Sequence, residues 1–216
     1  MPSEKHLETR QHKYRRIDIE RVLDIIGEPE TLTLAKVQDK LDRHLRRFIA
    51  HSPFLCMATG GVDGDFDCSP RGDYPGFARV LDERTLAIPD RVGNRLVDSL
   101  RNIAVNPGIG LNFLVPGHRE TLRVNGYAYV TDEPDVLARL QVEGKLPSLA
   151  IIVEVKEAYI HCGRAIIRSR LWDPKSQLLA TEVPSMGEIV EEQLHMDGVT
   201  ADVIDGFAED GYKTLY

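Results

Sequence analysis

Apolar and polar positions along the chain change their period several times. Residues 1 to 30 are dense in charge and carry little apolar periodicity, which predicts an arm or a loosely packed helix of the kind a partner subunit can order. From Leu34 the spacing becomes helical, with Leu34, Val37, Leu41, Leu45 and Phe48 on one face. Pro53 stops that helix, because proline disfavours the α conformation in the residue before it. Short strand signals follow. Phe54 to Thr59 is a compact apolar run ended by the turn-rich G-G-V-D-G-D, and Ala78 to Leu81 with Thr85 to Pro89 reads as a hairpin tipped by Asp82-Glu83-Arg84. Ile109 to Val115 pairs with Thr121 to Thr131 through Pro116-Gly117. In the latter, Leu122, Val124, Ala128 and Val130 alternate as on a strand buried on one side. Leu149 to Val155 is a further strand.

Between the strands, Asn94 to Val105 predicts a helix with Asn94 as its N-cap, and Pro134 to Gln141 a short crossover helix. One more amphipathic helix and a tail follow Ser185. Six or seven short strands joined mostly by tight turns favour an antiparallel barrel, since closure removes exposed edges. A Rossmann fold would need strand–helix alternation and a G-x-G-x-x-G turn after the first strand, and neither is present. The class is α+β, centred on a barrel.

Composition narrows the function. At 216 residues, 42% hydrophobic and 28% charged, the chain has ordinary globular content. Its net charge of -7 argues against a broad nucleic-acid face. Cys56, Cys68 and Cys162 form neither a disulfide framework nor a zinc pattern. With no leader-like start and no apolar run long enough to span a bilayer, a soluble, cytoplasmic protein is expected. The seven histidines show no metal-binding spacing and the acids no calcium loop, so no metal site is expected. No catalytic triad, P-loop or G-x-S-x-G is found, and no catalytic residue is assigned.

Three segments carry candidate chemistry. Ser69-Pro70-Arg71-Gly72-Asp73 joins a hydroxyl, a guanidinium and a glycine that lets a ligand approach the backbone; it also reads as a plain surface turn. Ile88-Pro89-Asp90-Arg91-Val92-Gly93-Asn94-Arg95 runs from a strand end into a helix start, where unpaired N–H groups make an anion site; Ser99 falls one turn after Arg95. An ordinary capped helix with solvated arginines explains the same residues. His161 to Trp172, if helical, places Arg164, Arg168 and Trp172 in one row suited to a planar anion, or gives a solvated face with Trp172 in the core.

Taken in order, S-P-R-G-D-Y-P-G-F (69–77), I-P-D-R-V-G-N-R (88–95), N-P-G-I-G-L-N-F-L (106–114), T-L-R-V-N-G (121–126) and H-C-G-R-A-I-I-R-S-R-L-W-D-P (161–174) resemble the pyridoxamine 5'-phosphate oxidase-like FMN-binding split-barrel family, in a divergent subgroup of FMN-dependent enzymes. The resemblance covers about Leu41 to Pro174. It implies a six-stranded antiparallel split β-barrel with peripheral helices, organised as an N-terminal arm (1–30), an FMN-binding domain (31–180) and a helical tail (181–216) packed on the same domain. It also implies a homodimer with FMN at the subunit interface. By position, Ser69, Arg71 and Gly72 would lie along the ring and ribityl chain, with Ile88, Pro89 and Asp90 flanking the ring. Asn94, Arg95 and Ser99 would hold the phosphate. Thr121 stands where relatives often present a glutamine, and Arg168, Ser169 and Arg170 would reach across from the second subunit.

The sequence departs from the oxidases proper. Their R-x-V-L-L-K and S-R-K are absent, G-N-R standing in place of the latter, and the C-terminal arginine–histidine grip on substrate has no counterpart. The expected function is an FMN-dependent oxidoreductase moving electrons between a nicotinamide, NAD(P)H, or oxygen and an unidentified small molecule. A non-catalytic flavin- or haem-binding carrier or sensor is the alternative, with His161 or His118 as haem ligands, and a dimer that has lost its cofactor is the third reading.

Overall fold

The computed structural model describes residues 14–216. The first thirteen residues of the expected arm lie outside them. The rest of that arm holds a helix, α1 (Ile19–Ile26), whose first turn is capped by the Asp18 side chain accepting from the Arg21 amide at 2.8 Å. The chain separates into two compact units. One comprises the residues up to Asp90 together with Leu96–His161, and the other joins Arg91–Arg95 to Cys162–Tyr216.

The first unit is built on a seven-stranded antiparallel sheet. Its strands are β1 (Phe54–Gly60), β2 (Phe66–Gly72), β3 (Arg79–Val80), β4 (Thr85–Asp90), β5 (Gly108–Leu114), β6 (Thr121–Thr131) and β7 (Leu149–His161), paired in the order β2-β1-β5-β6-β7-β4-β3. The expected hairpins and their partners are all present. The expected barrel has six strands, whereas this sheet has seven and is not closed, since β2 and β3 share no backbone ladder. β7 also runs six residues past the apolar stretch that announced it. Lys156 faces outward there while Ala158 and Ile160 keep packing against the core.

One face of the sheet makes that core. Leu55 and Met57 of β1, Leu111 and Phe113 of β5, Leu122 and Val124 of β6, and Ile151 and Val153 of β7 are buried at alternate positions. Burying a side chain of this size is worth about 1.5–3 kcal/mol, so this shared face fixes the register of every strand. On the edge strand β2 the same face is polar. Asp67, Ser69 and Arg71 stand opposite Thr59, Met57 and Leu55. Pro70 between them, which cannot donate to a ladder, is tolerated because β2 is an edge. The β6–β7 ladder shifts register between Asn125 and Gly126, where the two backbones approach closely: a Cβ on Gly126 would collide with the Glu154 carbonyl oxygen.

Two expected helices are corrected. The apolar spacing from Leu34 to Phe48 is not one helix but two, α2 (Thr31–Ala35) and α3 (Arg43–His51). Between them Gln38 pairs with Ala158 as an isolated bridge, and the Leu41 amide donates to Glu83. Asp42 then restarts the helix by accepting from the His44 and Leu45 amides at 2.7 and 2.8 Å. Pro53 does terminate α3, and buried Ser52 before it bonds the Leu114 carbonyl at 2.6 Å.

The second correction concerns Asn94. The helix expected to start there, α4, spans only Asp98–Val105, and its N-cap is Val97, held at φ 56°. Arg95 at φ 62° likewise departs from helical backbone. Neither the Asn94 side chain nor the Arg95 amide therefore belongs to a helix N-terminus. Once started, α4 docks on β1: Asn102 donates to the Thr59 hydroxyl, Asn106 to the Gly60 carbonyl, and Ile103 enters the core. α5 (Pro134–Arg139) is the expected crossover helix, two residues shorter than its pattern.

In the second unit, α6 (Arg164–Ser169) ends with Arg170 in the left-handed conformation, so Trp172 lies beyond the helix and does not continue the Arg164–Arg168 row. A 3-10 helix covers Pro174–Glu182. Two helices, not one, follow Ser185. α7 (Met186–Leu194) opens with a complete Ser185–Glu188 capping box, and α8 (Ala201–Tyr212) packs against it at Gly187, whose amide donates to Asp205 at 2.7 Å. Among the described residues no helix is long and apolar enough to cross a membrane.

Two substitutions test this account. Asp42→Ala should lose about 1 kcal/mol in urea unfolding near neutral pH. The Leu45 amide, then that of His44, holds the Asp42 carboxyl below its ordinary range. That depressed value makes the stabilisation complete above the unfolded-state range and lost as pH falls through the folded one. The gap between variant and parent should therefore close in acid. Gly126→Ala should cost about 1–3 kcal/mol, because the new Cβ meets backbone rather than a movable side chain; its urea midpoint measures this.

Candidate functional site

The polar face of β2 does not stay at the sheet's edge. Four strands separate β2 from β4 in the hydrogen-bonded order, yet Arg71 of β2 reaches Asp90 at the end of β4. The sheet is curled enough that its first and sixth strands meet through side chains. Arg71 Nη1 donates to Asp90 Oδ1 at 3.0 Å, with the two side chains 19% and 26% exposed. Its Nη2 donates to Ser99 Oγ at 3.2 Å, and Ser99 Oγ in turn donates to Asp67 Oδ2 at 2.5 Å. Ser99 is buried in the first turn of α4, so one helix, two strands and four side chains form a single network across the seam.

This wiring decides what each group has left to offer. A hydroxyl has one proton, and that of Ser99 goes to Asp67 while its oxygen accepts from Arg71. Ser99 therefore orients the arginine and has no proton left for a phosphate. Two of the five N–H groups of Arg71 are used in this way, and its Nε is buried with no hydrogen-bond partner. A buried N–H left unpaired costs about 1–3 kcal/mol, which an oxygen from a ligand would recover. With two carboxylates against one guanidinium, the donor set suits uncharged ligand oxygens better than a phosphate dianion.

Of the residues singled out from sequence, Arg71, Asp90 and Ser99 are brought together here, and Ser69 shares the inner face of β2 between Asp67 and Arg71. Gly72 ends β2 opposite Phe54. Ile88 is fully buried in the core cluster, and Pro89 is buried on the opposite side of β4 from Ile88 and Asp90. Thr121 opens β6 opposite His161, 8% exposed. Asn94 and Arg95 are exposed in the second unit, as are Arg168, Ser169 and Arg170 around the end of α6, where Ser169 Oγ bonds the Ile166 carbonyl. Asp67 escaped sequence reasoning. Its signal was the polar alternation Asp67, Ser69, Arg71 at strand period, in a stretch read only as the turn after a strand.

Other chemistry is sparse. Among the described residues no group of three or more His, Cys, Asp or Glu side chains can hold a metal ion. Burial, and then the nearby Cys68, push the Cys56 thiol up from its ordinary value, which makes it a poor nucleophile.

The pyridoxamine 5'-phosphate oxidase family model matches residues 41–162. No curated protein sequence matches the chain. Among solved structures it is similar to HupZ of Group A Streptococcus, at 17% identity over 55% of this chain and 92% of that one, with a TM-score of 0.46. It is also similar to a Clostridium acetobutylicum protein related to general stress protein 26, of the pyridoxinephosphate oxidase family (12% identity, 54% and 84% covered, TM-score 0.38). The haem storage protein HutZ of Vibrio cholerae matches at 14% identity over 57% and 94% of the two chains, with a TM-score of 0.38.

The seam network makes Ser99 a stability determinant. Ser99→Ala strips Asp67 of a donor and Arg71 Nη2 of an acceptor at a buried position, and should cost about 1–3 kcal/mol in urea unfolding.

Proposed function

Because the chain belongs to the pyridoxamine 5'-phosphate oxidase family, whose model spans more than half of it, we propose that it is an FMN-dependent oxidoreductase acting on a small molecule. The observation that carries this reading is the buried, unpartnered Nε of Arg71 at the seam between β2 and β4. A flavin offers ring carbonyls and ribityl hydroxyls, the uncharged oxygens that such a donor accepts without adding negative charge beside Asp67 and Asp90. Bound FMN supplies hydride and single-electron transfer, so the protein needs no acid, base or nucleophile of its own.

In this reading Ser69, Arg71 and Gly72 line the ring and ribityl chain. The backbone of β4 at Ile88 and Pro89 flanks the ring, their side chains being buried on opposite sides of the strand, with Asp90 holding Arg71 in place. Ser99 and Asp67 fix the second guanidinium nitrogen. By the family resemblance the phosphate is assigned to Asn94 and Arg95. Arg168, Ser169 and Arg170 come from the second subunit of a homodimer, and Thr121 contributes a hydroxyl where relatives carry an amide. Residues 31–180 make up the flavin domain, with the N-terminal arm and the 181–216 tail as additions to it. An electron donor such as NAD(P)H completes the cycle.

Titrating the purified protein with FMN, followed by quenching of flavin fluorescence, tests the reading. One FMN should bind per chain, and Arg71→Ala should weaken it roughly tenfold or more, as loss of a charge-assisted hydrogen bond of about 1.5–3 kcal/mol requires. Failure to bind FMN, or a Soret band after incubation with haem instead, would overturn it in favour of a haem carrier.

A further inference from the structure

The first two strands carry a second chemistry on the side of the sheet that faces away from the seam. In β1, Leu55 and Met57 enter the core, so Cys56 between them points outward. In β2, Asp67, Ser69 and Arg71 share the inner face, so Cys68 and Pro70 point outward as well. Cys56 pairs with Pro70 and Ala58 with Cys68, which makes the two cysteines diagonal neighbours on one face of adjacent strands. Both are free thiols, Cys68 exposed and Cys56 half-buried. Burial, and then the charge of Cys68, push the Cys56 thiol up, so the two sulfurs lie within electrostatic reach of each other.

Backbone bonds fix which kind of pair these are. The Asp73 amide donates to the Pro53 carbonyl at one end of the ladder, and the Gly61 amide to the Asp65 carbonyl at the other. Alternation between those ends puts Leu55, Met57 and Thr59 in hydrogen-bonded pairs. Cys56–Pro70 and Ala58–Cys68 are then non-hydrogen-bonded pairs, where side chains stand closer, and Pro70 fits because no N–H is asked of it there.

Spacing decides what two thiols at these positions can do. Diagonal neighbours have Cα atoms about 7–8 Å apart. A disulfide needs them within about 6.8 Å, with its sulfurs about 2.05 Å apart, so an S–S bond would require the strands to shift. A metal ion in line between two thiolates, with bonds of about 2.3 Å, holds the sulfurs about 4.6 Å apart and covers the longer span without that shift. Among the described residues no third His, Cys, Asp or Glu joins the pair, which leaves zinc short of its four ligands. Two soft donors and no others suit a soft cation of low coordination number, the class of Cu(I).

We propose that Cys56 and Cys68 form a two-coordinate site for a soft monovalent cation, Cu(I), on the outer face of the β1–β2 pair. Binding changes no oxidation state. Each thiol releases its proton to solvent and forms one Cu–S bond, so two thiols and one Cu(I) give a bis-thiolate complex and two protons. Ala58 and Pro70, which complete the four-residue block, are exposed, and the ion reaches the pair from solvent on the Cys68 side. The site is independent of the flavin reading, because its side chains leave the opposite face of β2 from Arg71.

Reduced full-length protein is titrated under argon with Cu(I) presented as its bathocuproine disulfonate complex, whose visible absorbance falls as copper moves to the protein. The parent should withdraw one Cu(I) per chain, and X-ray absorption at the copper edge should report two sulfur neighbours. Cys68→Ser should lower the affinity roughly a hundredfold or more, because the second sulfur must then come from a separate molecule. Cys56→Ser should do the same. Cys162→Ser, which removes an exposed thiol of the second unit, should keep the parent's affinity and stoichiometry. Since Cys68 is exposed, Cys68→Ser should also keep the parent's urea midpoint, and its loss of copper then reads as loss of a ligand. Undiminished binding in Cys56→Ser or Cys68→Ser, dependence on Cys162, or one copper shared between two chains each overturns the proposal.

Discussion

A single antiparallel sheet wrapped around one apolar face must bring its ends toward each other, and what happens where they meet shapes everything else in the first unit. Alternate residues of β1, β5, β6 and β7 bury Leu, Ile, Val, Met and Phe side chains in one cluster. Curling the sheet shields that cluster, but the edge strands then approach without the backbone pairing that would close a barrel. Polar side chains fill the gap. The Asp67–Ser99–Arg71–Asp90 chain substitutes for a ladder, linking first and sixth strands where no N–H to carbonyl bond can. A seam held by side chains can be opened at far less expense than a ladder.

The strands that face the core were legible in the sequence because burial on one side writes a period of two into the residues. β5 and β6 show it plainly, and the hairpin over Ala78 to Pro89 adds turn residues at its tip. β2 hid for the opposite reason. Its inner positions are Asp67, Ser69 and Arg71, so the alternation exists, but between polar residues of similar hydropathy it gives no amphipathic contrast. The same polarity that concealed the strand makes it chemically useful. Asp67 was missed because its partner, Ser99, lies 32 residues away and is brought to it by α4.

The helical errors have a different physical origin. Leu34 to Phe48 has the spacing of one helix, yet Leu34 is 58% exposed while Leu41 is fully buried, so the face is not continuous. Tertiary bonds from Gln38 and Leu41 outweigh helix continuation, and Asp42 supplies a fresh cap. At Asn94 the local signal was a good capping residue in front of an amphipathic run. The helix instead begins four residues later with Val97 in a left-handed conformation that β-branched residues rarely adopt. What enforces that start is visible in the contacts of α4: Ser99, Asn102, Ile103 and Asn106 must face β1, β2 and the core together. Residue propensity at the cap gives way to a docking requirement on the next two turns.

Charge is the remaining constraint. The chain carries 34 acidic and 27 Lys and Arg side chains, so positive potential has to be local if an anion is to be bound. At the seam the balance is the other way, one arginine against two aspartates, and α4 contributes Asp98 to its own first turn. Arg91, Asn94, Arg95, Arg164, Arg168 and Arg170 belong instead to the second unit. With Ser99 committed to orienting Arg71, its hydroxyl has no proton left to give a further acceptor, so the seam is closed on itself by its own charges.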